Sequence, residues 1–205
     1  MNFVTILVTR SKACHVKTLH TILRMNVRCI QKGMKNEIAY VDDDPYEKAE
    51  IVQRYLKTHD RILFIDFGIS LDDGTLDQCF EKHEGIDCLV FPGVKEGIDW
   101  EMFKTKIKEG SEEPTSQMGL HFDTEVGKKI GKDIYQVSKT GARAWLMNTK
   151  SVLKRSKDPK VSPKMFDKFL QQGVRVCAFT AAKLTMTYTH ECVSNILNAA
   201  GVKVN

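Results

Sequence analysis

From residue 3 the chain reads FVTILV, a short β-branched run, and then HVKTLHTILRM, where Val16, Leu19, Ile22 and Leu23 recur at helical spacing. The alternation repeats. EIAYV predicts a second strand, and DDDPYEKAEIVQRYLK a second helix with Asp44 as N-cap, Pro45 in the first turn and Glu47 as the capping-box acid. RILFIDF predicts a third strand, and LDDGTLDQCFEKH a third helix started by Asp72 or Asp73. DCLVF is a fourth strand, ended by Pro92. Strand and helix taking turns in this way predict an α/β fold with a mostly parallel central sheet flanked by helices. Leu19, Ile22 and Leu23 are assigned to its core.

After Trp100 the rhythm changes. The helix DWEMFKTKIKEG is followed by a polar stretch, residues 111–132, in which no period is found and an irregular segment is expected. YQVSKTGARAWLMNTKSVL predicts two short strands and a helical turn, and Ser162-Pro163 opens a helix that Gly173 ends. VRVCAF is another strand and THECVSNILNAA a closing helix. One domain spanning residues 1–205 is expected.

Composition fits this picture. With 205 residues, 42% hydrophobic and 28% charged, the chain can bury one sizeable core. No apolar run approaches the ~18 residues of a membrane span. FVTILV is also too short, and too soon followed by Arg10 and Lys12, for a signal peptide, so a soluble, cytoplasmic protein is expected. The six cysteines include no C-x-x-C pair, which argues for free thiols and against a zinc knuckle. Net charge is +5, with a local excess in KRSKDPKVSPK, residues 154–164. That run is either a solvated basic loop or an attractor of anions. Nucleic acid is not the expected partner, because no aromatic residue interleaves with the charges as a stacking platform would require.

The triplet Asp66-Phe67-Gly68 matches the metal-binding letters of protein kinases, but about 60 residues precede it, and the glycine-rich loop, Val-Ala-x-Lys strand and His-Arg-Asp of that family are missing. Its meaning must come from its surroundings. In open parallel sheets ligands gather at the carboxyl ends of the strands. Here those ends carry Thr9-Arg10, Asp42-Asp43 and Asp66, a cation beside acids, which suits a nucleotide with a divalent metal. Neither G-x-G-x-x-G nor a P-loop sequence is present.

The strand ILFIDFG with its capped helix resembles the Asp-x-Asp strand of GT-A glycosyltransferases, and VTRSKACHVKTLHTIL, SKTGARAWLMNTKSVL and TYTHE resemble further segments of that family in the same order. The resemblance implies a compact enzyme of the kind that large viruses and bacteria encode. It would move a sugar from a nucleoside diphosphate sugar to a glycan or protein-linked glycan. It implies that Thr9, Arg10 and Asp42 meet the nucleotide, with Phe67 beside them. Asp66 and His190 would hold Mn²⁺ or Mg²⁺ on the diphosphate, and the Thr140-Gly141 turn would shape the sugar pocket. A hard cation on oxygen ligands would offset the charge that develops on the leaving diphosphate.

Two positions depart from the pattern. Gly68 stands where the second carboxylate of Asp-x-Asp would be, and Ser162-Pro163-Lys164 where inverting members place a late acidic base. His121, Asp123 and Glu125 in GLHFDTEVG are the candidate catalytic groups from elsewhere. Other readings stay open: Asp66 as a turn cap, His190 as a helix-start residue, the trio as surface, and the whole chain as a transferase fold kept for binding alone.

Overall fold

Strand β1 (Asn2–Thr9) is buried from its second residue to its last, as a central strand covered on both faces must be. It pairs in parallel with β2 (Lys35–Asp42) on one side and β3 (Arg61–Ile65) on the other. The structure is a computed structural model that describes residues 1–95, 97–115, 117–156 and 160–187; the expected closing helix and His190 lie outside the described residues. The span read from sequence as one domain holds two compact units. One comprises Met1–Gly93 with Thr124–Met186, and Val94–Asp123 belongs to the second.

Later strands of the larger unit are β5 (Cys88–Val90), β6 (Thr124–Gly131), β7 (Ile134–Thr140), β8 (Ala144–Asn148) and β9 (Val176–Phe179). With the first three they form an eight-stranded sheet, ordered β2-β1-β3-β8-β5-β9-β7-β6. β8 is antiparallel to both β3 and β5, and β7 is antiparallel to both β9 and β6, while β5 and β9 are parallel. Six strands therefore run one way, with β8 and β7 against them. The expected mostly parallel central sheet flanked by helices is what the structure has.

Period-two alternation along β1 sends Val4, Ile6 and Val8 to one face and Phe3 and Leu7 to the other. On the first face pack α2 (Pro45–Leu56), α5 (Thr149–Arg155) and α6 (Met165–Gln171); on the second, α1 (Val16–Gln31) and α3 (Asp73–Gln78). The caps follow the sequence. Asp44 Oδ1 accepts the Tyr46 and Glu47 amides at 2.8 and 2.9 Å, and of the two candidates for the third helix it is Asp72 that caps, accepting the Thr75 amide at 2.9 Å.

Three expectations need correction. Leu19 and Leu23 are 37% and 51% exposed, so only Ile22 of that trio is core. Both lie on the outer arc of α1, where helical spacing alone gives no inward direction. Within residues 111–132, β6 is a strand; it lies at the sheet edge with most side chains exposed, so no alternation betrays it. The third strand also ends earlier than read: the chain turns at residues 66–68 and enters β4 (Ile69–Leu71), which pairs with β10 (Leu184–Met186) in a second small sheet.

The smaller unit contains α4 (Trp100–Lys108), capped by Asp99 Oδ1 accepting the Met102 amide at 2.8 Å. Gly119 passes so close to the residues ahead of this helix that an added Cβ would meet Ile98 Cγ2 at 2.8 Å and the Asp99 carbonyl at 3.1 Å.

Candidate functional site

The carboxyl ends of β1, β2 and β3 lie side by side, and each contributes a charged residue just past its last rung. Arg10 follows β1, and its Nε donates to Asp43 Oδ2 at 2.7 Å. Lys48, one turn into α2, reaches Asp43 Oδ1 at 2.7 Å and Asp66 Oδ1 at 3.7 Å. On the far side of Asp66, Arg143 Nε donates to Oδ2 at 2.9 Å, and Arg143 Nη2 donates to the Phe67 carbonyl at 2.9 Å. The result is a chain of contacts, Arg10–Asp43–Lys48–Asp66–Arg143, that begins and ends in a cation. Burial opposes ionisation of Asp43, but the bonds from Lys48 and Arg10 outweigh it and hold the carboxyl below the usual carboxylate range.

Arg143 is delivered by β8. Because this strand runs against β3, its beginning lies beside the end of β3, and the Asp66 amide donates to the Arg143 carbonyl at 2.9 Å. Gly68 has φ +73°, which explains the departure from Asp-x-Asp in backbone terms: the turn from β3 to β4 needs a left-handed residue there. A second non-regular point lies after β1. Arg10 and Ala13 exchange both backbone hydrogen bonds, at 3.0 and 2.9 Å, across Ser11 and Lys12, whose φ values are +50° and +60°. This two-residue turn has the primed geometry that Asn-Gly normally serves. Here it is made by side-chain-bearing residues and thrusts Lys12 outward.

Two cavities flank α2. The first, about 360 Å³, opens between α2 and α6; Phe64, Trp145 and Phe166 give it an aromatic wall, and Lys48, Asp66 and Arg143 lie along its lining. Phe64 and Trp145 stack with centroids 5.0 Å apart, and Phe166 meets Trp145 edge-on at 5.9 Å. The second cavity, about 560 Å³, is polar and includes Thr9, Lys12, Asp42, Glu47, Glu50 and Arg54.

The sequence candidates divide among these places. Thr9 and Asp42 come together in the second cavity, where Thr9 Oγ1 is 3.0 Å from Asp42 Oδ1 and 3.2 Å from the Val41 carbonyl. Asp66 and Gly141 come together in the first. Phe67 is half-buried and carries the Arg10 guanidinium 4.9 Å from its ring centroid. His121 and Asp123 belong to the smaller unit, where His121 Nε2 lies 3.0 Å from Asp99 Oδ2. The Met102 amide and then His121 hold the Asp99 carboxyl below its ordinary range. Glu125 is an exposed residue of β6 in the larger unit.

Lys48, Arg143 and the aromatic wall were not singled out as site residues from sequence, and Asp43 was placed at the strand ends without a role of its own. Lys48 had a signal: four residues after the N-cap Asp44, it lies in the first turn of a helix that starts at the strand ends. Arg143 had none, being 77 residues from Asp66. Of the basic run, Arg155 turns inward to Asp87, a carboxylate 1% exposed, at 2.7 Å, and Lys164 lines the first cavity.

Among the described residues no three His, Cys, Asp or Glu side chains gather as a metal site, and His190, the second expected ligand, lies outside them. Asp66 also already has Arg143 on one oxygen and Lys48 near the other. Two unit charges about 4 Å apart repel by about 4 kcal/mol at an effective dielectric of about 20, and a divalent ion doubles that. Elsewhere, the five described cysteines are free thiols, as expected, and burial pushes Cys79 up to about 12. Among the described residues no helix is long and apolar enough to cross a membrane.

No family model matches the chain, and no curated protein does. Solved structures do. A197 from STIV shares the fold with a TM-score of 0.54 at 11% identity, over 92% of this chain and 87% of that one. The UTP-bound UGPase from Acinetobacter baumannii does so with a TM-score of 0.50 at 9% identity, over 91% of this chain and 88% of the other. At these identities the likeness is one of fold: a mixed α/β arrangement around a mostly parallel sheet.

Proposed function

We propose that the protein is a glycosyltransferase of GT-A type, taking a sugar from a nucleoside diphosphate sugar to a glycan or protein-linked glycan acceptor. The observation that carries this reading is the pair of cavities at the carboxyl ends of β1 to β3, one polar and one aromatic-walled, joined by alternating charges. Ribose hydroxyls donate to the Asp42 carboxylate in the polar cavity, beside Thr9. The diphosphate lies along Arg10, Lys48 and Arg143. The sugar enters the first cavity by the Thr140-Gly141 turn, against the aromatic wall. The fold shared with a UTP-bound protein supports a nucleotide ligand.

In the reaction the acceptor hydroxyl oxygen bonds to the anomeric carbon, and the bond to the phosphate oxygen breaks. The nucleoside diphosphate leaves with that electron pair, and a base takes the hydroxyl proton. Glu125, which follows Thr124 where that residue pairs with Thr140 at the first cavity, is the proposed source of the base. Mn²⁺ or Mg²⁺ would screen the departing charge if bound. A thermal-shift panel of nucleoside diphosphates and their sugars tests the ligand class, since a ligand at about 100 times its Kd stabilises by about 2.7 kcal/mol. Release of nucleoside diphosphate from at least one sugar donor is expected. A folded protein that no member of the panel stabilises would overturn the reading.

A second reading, a transferase fold retained for binding, is favoured by Gly68 in place of a carboxylate and by the Asp66–Arg143 pair. Turnover of any donor excludes it. Stabilisation by a donor without turnover selects it.

A further inference from the structure

We infer that the diphosphate is held by protein cations in the place where a divalent metal was expected, so that nucleotide binding proceeds without metal; this rests on the nucleotide-sugar reading above. Three observations lead to it. The Arg143 guanidinium is already on Asp66 Oδ2 at 2.9 Å, so a metal entering there must displace or adjoin a fixed positive charge. The second carboxylate that would outweigh this charge is replaced by Gly68, whose φ of +73° serves the turn. Lys48 stands between Asp43 and Asp66, holding the two carboxylates to one ammonium. Its side chain and that of Arg143 are 24% and 19% exposed, so both work under reduced screening at the cavity lining.

The chemistry matches a diphosphate. Arg143 acts through a fixed positive charge, its Nε and Nη2 being held by Asp66 and the Phe67 carbonyl, and the Lys48 ammonium acts as a compact point charge. In this arrangement Asp66 does not bind the ligand. It is a positioning residue: with the Phe67 carbonyl it fixes the Arg143 fork, and with Asp43 it fixes Lys48. The sign of its effect is therefore opposite to that of a metal ligand. Removing its charge while keeping an oxygen for Arg143 lowers the negative potential at the anion site, whereas removing a metal ligand abolishes metal-dependent binding.

Calorimetric titration of UDP, GDP, CDP and ADP in excess EDTA, and again in excess MnCl₂, decides the matter on wild type, Lys48→Ala, Arg143→Lys and Asp66→Asn. The expected result is a Kd for one nucleotide that changes less than about threefold between the two buffers. Loss of one charge-assisted contact in Lys48→Ala should weaken it by about 10-fold or more. Arg143→Lys keeps the charge and loses the fork, so it should weaken binding less than Lys48→Ala does. Asp66→Asn should bind at least as tightly as wild type in EDTA. Binding seen only with Mn²⁺ and lost in Asp66→Asn would overturn the inference and leave the nucleotide reading intact. Metal-free binding that Lys48→Ala does not weaken would also overturn it. No binding by a wild-type protein with a sharp thermal transition, in either buffer, would overturn both.

Discussion

The two faces of α2 make different walls. Lys48, Ala49 and Val52 turn toward an aromatic cavity whose lining cations, among the described residues, are Lys48, Arg143 and Lys164, with carboxylates from Asp66 and Asp167. Glu47, Glu50 and Arg54 turn toward a polar cavity in which Asp42, Glu47 and Glu50 face Lys12 and Arg54. A single helix thus separates a cation-rich pocket with an apolar floor from an acid-rich one that offers hydroxyl acceptors. The lesson is one of division of labour: a ligand with a charged middle and two neutral polar ends can be read at three points by one amphipathic element and the strand ends beside it.

The comparison can be broken most severely at the aromatic wall. Trp145 is 2% exposed, stacked on Phe64 and met edge-on by Phe166, so Trp145→Ala should cost about 3–5 kcal/mol in urea unfolding. Sugar-donor binding should fall more than binding of the free nucleoside. A loss below about 1 kcal/mol would show that the wall is not part of the core.

Charge comes next. If the cavities differ in the way described, Lys48→Ala weakens nucleoside diphosphate binding by about 10-fold or more, while Glu50→Gln changes it by less than about twofold. Equal effects from the two would erase the distinction. Asp42→Ala should act more gently, by about 5-fold, through a lost hydrogen bond to the nucleoside. It should leave inorganic pyrophosphate affinity unchanged, and a parallel loss of both would place Asp42 with the phosphates.

Acid gives the smallest effect. Asp43 has a folded-state pKa below its ordinary value near 4. Its contribution is present above that value and is lost as pH falls through the folded pKa. Thermal scans from about pH 6 to about pH 3 should show wild type losing more stability than Asp43→Asn. Parallel curves would remove Asp43 from the account.

Much of the larger unit could be read from the sequence, because β1 and its neighbours β2 and β3 are short apolar or alternating runs separated by capped helices. Elements with weak contrast could not. β6 is exposed on most of its length, and β4 and β10 have three residues each, too few to establish a period. Leu19 and Leu23 misled because an apolar residue on a helix does not state which side is covered. For the candidate site, the strand-end rule pointed to Thr9-Arg10, Asp42-Asp43 and Asp66, and the structure sets Arg10 on Asp43. It could not point to Arg143, which approaches Asp66 through a strand reversal far along the chain with no local signal to encode that pairing.

The reversed strand β8 has a bearing on how the protein is made. Arg143 and the start of β8 must insert beside β3 before Asp66 has its guanidinium, and β5, on the other side, waits for the same strand. A nascent chain that has released only its first half from the ribosome therefore has an incomplete pocket mouth, in which Asp66 has Lys48 near it but not Arg143. The completed pocket is a late acquisition of synthesis, gained when sequence-distant contacts close, and such contacts are the slow ones in folding.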